Sequence, residues 1–243
     1  MTTATLPLTA PGAPVPLHRY AMWWITGLLL LTTLGFWPSF VTRLGTHDLA
    51  HTAHGMVSFG WLLLLIGQAW LIERKQRAWH RRVAMLGIPL ALLMVLTAIP
   101  MMRVMLKAMA VPEARPVVAF LGAYDVGALF WFVVLFSVAL ANVRRPAMHG
   151  RCLASTAFLG LAPGLGRFFM WGMGMSPFAA VHATMVLVEA SLLALYLSDR
   201  RAGIREWPYA GTLVFFVLWQ GIMGPLATSD LFARFASWLT AVN

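Results

Sequence analysis

The sequence predicts an all-α, polytopic membrane protein with seven transmembrane helices. Its 243 residues are 60% hydrophobic and only 11% charged, and the mean hydropathy is +0.77. A soluble domain of this size needs far more charge on its surface. Apolar stretches of about 20 residues recur along the whole chain, and that is the length needed to cross a hydrocarbon core of about 30 Å.

The spans define three regions of the chain. Residues 1–17 are a Pro/Thr/Ala-rich lead that we expect to be disordered, with no cleavable signal. Residues 18–228 form the membrane domain, and residues 229–243 form a short amphipathic helix on the membrane interface. Within the membrane domain the predicted spans are 20–41, 48–72, 83–105, 117–142, 152–172, 178–198 and 208–228.

The basic residues predict the orientation. Three connections, 73–82, 143–151 and 199–206, hold eleven of the eighteen Lys and Arg residues. By the positive-inside rule these connections are cytoplasmic, so the N-terminus is inside and the C-terminus outside. The net charge of +10 then reflects topology and contact with anionic lipid, and we do not expect a nucleic-acid partner.

The arrangement of spans suggests one extra helix followed by three hairpins. Each hairpin descends from the outer side, turns at a basic connection and returns. The fifth span contains the Gly- and Pro-interrupted segment GLAPGLGRFFMWGMGM (160–175), which predicts a kinked or locally broken helix. The single cysteine, Cys152, excludes internal disulfides, and the chain has no P-loop and no Rossmann fingerprint.

Ionisable residues inside the predicted spans mark the candidate site. Such side chains cost several kcal/mol in hydrocarbon unless they are paired or line a cavity, so each is a functional candidate. They gather at similar heights near the outer ends of five helices: His51, His54, Arg103, Asp125, Arg167, His182 and Glu189.

Three histidines of GTHDLAHTAHGM (45–56) share one helical face. With 100° per residue, His47, His51 and His54 lie within about 60° of one another, and the spacing allows two imidazoles to share a metal. We therefore predict that His51, His54 and His182 hold a transition metal or a haem, although interhelical hydrogen bonding alone is an alternative interpretation of His51 and His54. For His47 we favour a solvated interfacial position near Asp48.

The remaining polar residues receive supporting roles. Asp125 is a fourth metal ligand or orients one, although an ion pair with Arg103 or Arg167 is an equally good interpretation. Glu189 is a proton relay, or a buried carboxyl satisfied by a neighbour. Arg103 and Arg167 clamp an anion or substrate, and Asp125 and Glu189 are the candidate catalytic carboxylates.

Two further patterns suggest other cofactors. His80 and His149 open two return helices at the cytoplasmic side and could hold an inner haem, although contact with lipid headgroups explains them more simply. Methionine is a soft ligand that selects Cu(I) but is also ordinary filler in membrane helices. It clusters at the outer ends of two spans, at Met101, Met102, Met105, Met109, Met170, Met173 and Met175.

Part of the chain resembles a bacterial family of multi-pass membrane proteins. The resemblance rests on FWPSF (36–40), HTAHG (51–55), WLLLLIGQAWLI (61–72) and WHRR (79–82), and covers roughly residues 30–90. It implies a bacterial inner-membrane protein but no particular activity.

These observations lead to two hypotheses of different classes. The first is metal-assisted oxidation or hydrolysis of a lipophilic substrate in a cavity open to the periplasmic side, with Fe, Zn or Cu as the metal. The second is a haem-b electron carrier, or an accessory subunit of a larger membrane complex, whose buried polar residues serve packing or quinone contact. Copper handling is a further option. The sequence does not decide between an enzyme and a non-enzymatic protein.

Overall fold

The protein is a bundle of α-helices. The structure, a computed structural model, describes residues 15–43, 45–46 and 48–241, and no strand occurs among them. The helices are α1 (Ala21–Phe36), α2 (Leu49–Glu73), α3 (Arg77–Ala84), α4 (Gly87–Lys107), α5 (Arg115–Ala141), α6 (Pro146–Leu159), α7 (Leu161–Met173), α8 (Pro177–Arg201), α9 (Pro208–Ala227) and α10 (Asp230–Ala241).

Six helical segments of the described chain are long and apolar enough to cross a membrane: Leu49–Glu73, Arg77–Ala110, Arg115–Ala141, Pro146–Met173, Pro177–Arg201 and Pro208–Ala227. The prediction of a polytopic helical membrane protein is therefore confirmed. Large apolar side chains on the outer faces of these helices remain exposed, as expected for lipid contact; examples are Leu96, Phe130 and Leu218.

The bundle has two distinct ends. We call the end that carries the Arg-rich turns, near residues 74–77, 142–146 and 202–207, the basic end, and the other the opposite end. Consecutive long helices pack as pairs across these turns: α2 with α4, α5 with α6, and α8 with α9. These pairs are the hairpins expected from the sequence.

Helix α1 runs from the basic end toward the opposite end. The short 3-10 helix before it, Leu17–Tyr20, places the His18 ring against Tyr209 at the start of α9. At the other end of α1, the Gly35 carbonyl accepts a hydrogen bond from the Trp171 indole at 3.0 Å. With 16 residues, α1 falls outside the six segments.

The fifth predicted span is broken in two, as its sequence indicates. Helix α6 ends at Leu159 and α7 begins at Leu161, because Pro163 has no N–H to donate to the Leu159 carbonyl and its ring crowds that group. The hydroxyl of Tyr124 donates to this carbonyl at 2.9 Å. A buried residue of α5 thus satisfies the polar group that the break leaves open.

The last helix, α10, covers residues 230–241 of the predicted amphipathic segment. Its buried residues are Phe232, Ala236 and Leu239, which share one face, and it packs on α4 and α9. The predicted lead of residues 1–17 lies largely outside the described residues, which begin at Val15.

Candidate functional site

At the opposite end, His51 belongs to the cap of α2. Asp48 accepts a hydrogen bond from the His51 backbone N–H at 3.0 Å, and its second carboxylate oxygen lies 2.7 Å from the His51 Nδ1. The backbone hydrogen bond lowers the pKa of Asp48 below its ordinary value. Asp48 is therefore the N-cap residue of α2, and its carboxylate holds the His51 ring at a partly exposed position. His47, predicted to be interfacial, lies outside the described residues.

His54 faces the neighbouring helix of its hairpin. Its Nδ1 lies 3.1 Å from the Thr97 hydroxyl, which itself donates to the Leu93 carbonyl at 2.6 Å. Because the single hydroxyl proton of Thr97 is used, His54 donates from Nδ1. This bond joins α2 to α4.

His182 has a different set of neighbours. Its Nδ1 lies 2.8 Å from the Gln220 amide nitrogen, and its ring packs on Phe120 at a centroid distance of 5.6 Å. Helix α8 packs against α7 and α9, whereas α2 packs against α1 and α4. The structure thus gives His51, His54 and His182 separate partners.

The predicted metal ligands do not assemble. Within the described residues, no group of three or more His, Cys, Asp or Glu side chains comes close enough to hold a metal ion. The methionines considered as copper ligands lie in different environments, since Met102 is buried in the core and Met173 is exposed.

Asp125 and Arg167 are predicted site residues of opposite charge that the structure brings together. Their opposite charges interact electrostatically deep in the bundle, yet both keep some accessible surface. No N–O distance within 4.0 Å joins them, unlike the three ion pairs found among the described residues. Asp125 therefore interacts with Arg167, as predicted, but the two side chains form no direct ion pair.

Arg167 is held in place by groups other than Asp125. Its Nη1 donates to the Pro163 carbonyl at 2.9 Å, and its guanidinium carbon lies 4.5 Å from the centroid of the Phe36 ring. These contacts position the guanidinium, while most of its five donors have no acceptor among the residues that the structure describes. We refer to Asp125, Arg167, Pro163 and Phe36 together as the Asp125–Arg167 crevice.

The ends of α2 and α7 at the opposite end of the bundle are less buried than their inner parts. No described residue of α2 before Trp61 is buried, whereas five residues from Trp61 onward are. Similarly, no residue of α7 from Arg167 to Met173 is buried. These two helix ends are thus more accessible, whereas α4 and α5 keep buried residues such as Leu106 and Phe120 at the same end.

Arg103 and Glu189 each have a buried polar side-chain atom without a hydrogen-bond partner among the described residues. These atoms are Arg103 Nε and Glu189 Oε1, and both are inaccessible to solvent. The predicted partner of Glu189, a Ser or Gln on a neighbouring helix, is thus not found there.

The basic end contains a buried ion pair that the sequence analysis missed. Arg151 and Asp199 are 3% and 1% exposed, and they pair through two bonds, of which Nη2 to Oδ1 measures 2.7 Å. Asp199 was assigned to a basic connection. Its seven-residue spacing from the buried Leu192 was the signal that it continues the buried face of α8.

A histidine before α1 belongs to the same region. His18 Nδ1 lies 2.6 Å from the Tyr209 hydroxyl. An added Cβ at Gly150 of α6 would lie 3.1 Å from His18 Nε2, and the Ser198 hydroxyl of α8 accepts a hydrogen bond from the Leu17 N–H at 2.8 Å. These contacts tie the beginning of α1 to α6, α8 and α9.

His80 and His149 line a single cavity at the basic end. The cavity has a volume of about 110 Å³. Pockets for drug-sized molecules measure about 300–1,000 Å³, so a haem does not fit here. The two residues considered for an inner haem do meet, but in a space that suits a much smaller group.

The fold and these polar groups define a helical protein of the membrane-spanning type. No protein family, curated protein or solved structure matches the chain. Any functional assignment therefore rests on the residues themselves.

Proposed function

We propose that the chain is a seven-helix protein of the bacterial inner membrane, with its N-terminus inside and its C-terminus outside. In this proposal it binds the anionic head group of a lipophilic molecule in the Asp125–Arg167 crevice, from the outer side of the bilayer. Helix α1 would be the additional span. Its 16 residues extend about 24 Å, and the preceding 3-10 turn of four residues adds about 8 Å.

The observation that carries the proposal is the contrast between the two Arg–Asp pairs. Arg151 and Asp199 satisfy each other through two hydrogen bonds, which is what a purely structural pair in a bundle requires. Arg167 and Asp125 interact electrostatically, but no direct ion pair joins them among the described residues. Open charges in a membrane protein line sites for substrates or ions.

The ligand class follows from the groups that remain available. A guanidinium with free donors binds a carboxylate or a phosphate through paired hydrogen bonds. The surrounding helices present apolar side chains, so the rest of the ligand is lipophilic. Asp125 adds a carboxyl group that interacts with the guanidinium, so the site favours a head group that also offers a hydrogen-bond donor.

The contacts give less support to the hypotheses that involve a cofactor. Metal-assisted oxidation or hydrolysis needs several ligands at one point, whereas His51, His54 and His182 bond to separate partners. A haem-b electron carrier needs room for a porphyrin, which the cavity beside His80 and His149 does not offer.

Binding of a dansylated undecanoate to the purified protein in neutral phosphatidylcholine nanodiscs tests the proposal. Arg167→Gln should weaken binding about tenfold or more, because a hydrogen-bonded charge is lost. Asp125→Asn should strengthen it, because the carboxyl group that competes with the ligand for the Arg167 guanidinium is replaced by an amide. Arg234→Gln, at an exposed position of α10, is the matched control and should change nothing.

The methyl ester of the same probe is the second control. It has the same tail and no charge, so wild-type protein should bind it much more weakly. Equal affinity for acid and ester, or wild-type affinity in Arg167→Gln, would falsify the proposal.

A further inference from the structure

The cavity at the basic end combines two imidazoles with apolar and aromatic walls. His80, at the beginning of the α3–α4 segment, and His149, at the beginning of α6, both line it. Trp61 and Phe136 form part of the wall, and their ring centroids lie 5.6 Å apart. This cavity is far along the helices from the Asp125–Arg167 crevice.

The hydrogen bonds of the two imidazoles assign opposite roles to them. His149 Nδ1 lies 2.9 Å from the Ala139 carbonyl; a carbonyl only accepts, so Nδ1 carries the proton and Nε2 is an acceptor. Gln68, oriented so that its oxygen accepts from the Ala84 N–H at 3.1 Å, donates its amide to His80 Nδ1. The proton of His80 is then on Nε2, which is a donor.

Both Nε2 atoms remain available. Neither atom forms a hydrogen bond with the described residues, and each keeps some solvent-accessible surface. The cavity therefore offers one donor and one acceptor from two different helices. A hydroxyl group accepts one hydrogen bond and donates another, so it matches this pair with a single atom.

The shape of the cavity indicates where the rest of such a ligand lies. Ile88, Leu140 and Val143 line the cavity and are 50%, 41% and 58% exposed, so its mouth is apolar and faces outward from the bundle. A ligand that enters here comes from the lipid, and its ring packs against the aromatic wall.

We propose that this cavity is a binding site for the hydroxylated ring of a membrane-soluble quinol, with His80 donating to the hydroxyl oxygen and His149 accepting its proton in a hydrogen bond. The ring lies beside Trp61 and Phe136, and the isoprenoid or alkyl tail leaves past Leu140 and Val143. The proposal concerns binding only, and is independent of the crevice at the opposite end.

The test compares a decyl-chain benzoquinol with its dimethyl ether, which keeps the ring and tail but lacks both hydroxyl protons. Binding to the full-length protein in nanodiscs is measured by calorimetry under argon. Wild-type protein should bind the quinol about tenfold more tightly than the ether, because the ether leaves His149 Nε2 without a donor. His149→Phe should reduce quinol affinity to that of the ether and leave ether affinity unchanged.

Two further variants separate binding from folding. Leu140→Trp keeps both imidazoles and narrows the mouth, so it should weaken quinol and ether alike. His51→Gln removes an imidazole at the opposite end and should change neither. Equal wild-type affinity for quinol and ether, or unaltered quinol binding in both His149→Phe and Leu140→Trp, overturns the proposal.

Discussion

Arg151 and Asp199 illustrate how a charge is tolerated inside this bundle. Each is almost fully buried, and each satisfies the other, while the Arg151 Nη1 also donates to the Ala147 carbonyl at 3.1 Å. Burial of two charges is expensive, and only this complete set of partners offsets it. The pair joins α6 to α8 at the end where His18 docks, so it is part of the framework.

Removing one member of this pair should be far more damaging than removing both. Asp199→Asn leaves the Arg151 charge buried without compensation and should lower the free energy of unfolding by about 3–5 kcal/mol. The double variant Arg151→Met with Asp199→Leu should recover most of this loss. Denaturant titration in detergent, followed by circular dichroism, measures both.

The exposed pair at the same end provides the control. Arg145 Nη2 lies 3.2 Å from Glu206 Oε1, with the arginine side chain 61% exposed. Glu206→Gln should therefore change stability by about 1 kcal/mol or less. A similar loss in Glu206→Gln and Asp199→Asn would contradict the structural role assigned to the buried pair.

At the scale of the elements, the close contact between α1 and α7 stabilises the opposite end of the bundle. An added Cβ at Gly35 would overlap the backbone of Gly164, and one at Gly164 would lie 2.8 Å from Thr32 Cα. The helices therefore approach closely because both positions lack a side chain, as is common where membrane helices pack. The same contact places Phe36 beneath Arg167.

Gly35→Ala should separate these helices and destabilise the fold by about 1–3 kcal/mol, because the backbone of α7 must move. Gly27→Ala is the matched control on the same helix, since an added Cβ at this position meets nothing within 4 Å, and it should be neutral or slightly stabilising. Thermal unfolding of both variants in detergent measures the difference. Equal melting temperatures would show that the α1–α7 approach is not tight.

At the scale of the whole molecule, the position of α1 determines the proposed topology. Its start contacts α9 at the basic end, and its end contacts α7 near the opposite end. These contacts at both ends of the bundle support the proposed seventh span, although α1 falls outside the six segments that are long and apolar enough to cross a membrane.

Cysteine accessibility on intact cells tests this topology. In a Cys152→Ala background, Gln76→Cys marks the basic end, Glu113→Cys the opposite end, and Val15→Cys the start of the described chain. With seven crossings, a membrane-impermeant maleimide should label Glu113→Cys and leave Val15→Cys and Gln76→Cys unlabelled until the cells are opened. If Val15→Cys behaves as Glu113→Cys does, α1 does not cross.

Composition and local spacing were sufficient for the helices and for one irregularity. The predicted spans 48–72, 117–142, 178–198 and 208–228 lie close to α2, α5, α8 and α9, because hydrophobicity and length act within one segment. The break before α7 was also predictable, since a proline disrupts its own helix. In the same way, the positions of Asp125 and Arg167 along their predicted spans indicated that both lie inside the bundle.

The pairing of polar side chains could not be predicted in this way. Arg151 and Asp199 are 48 residues apart in the chain, and His182 bonds to Gln220, 38 residues away. The depth of a residue along its helix depends on the local sequence. The rotation of each helix and the identity of its neighbours depend on how all the helices pack together. The sequence thus determined which residues reach the two ends of the bundle, and the packing decided that the histidines separate, that one Arg–Asp pair closes, and that the other stays open.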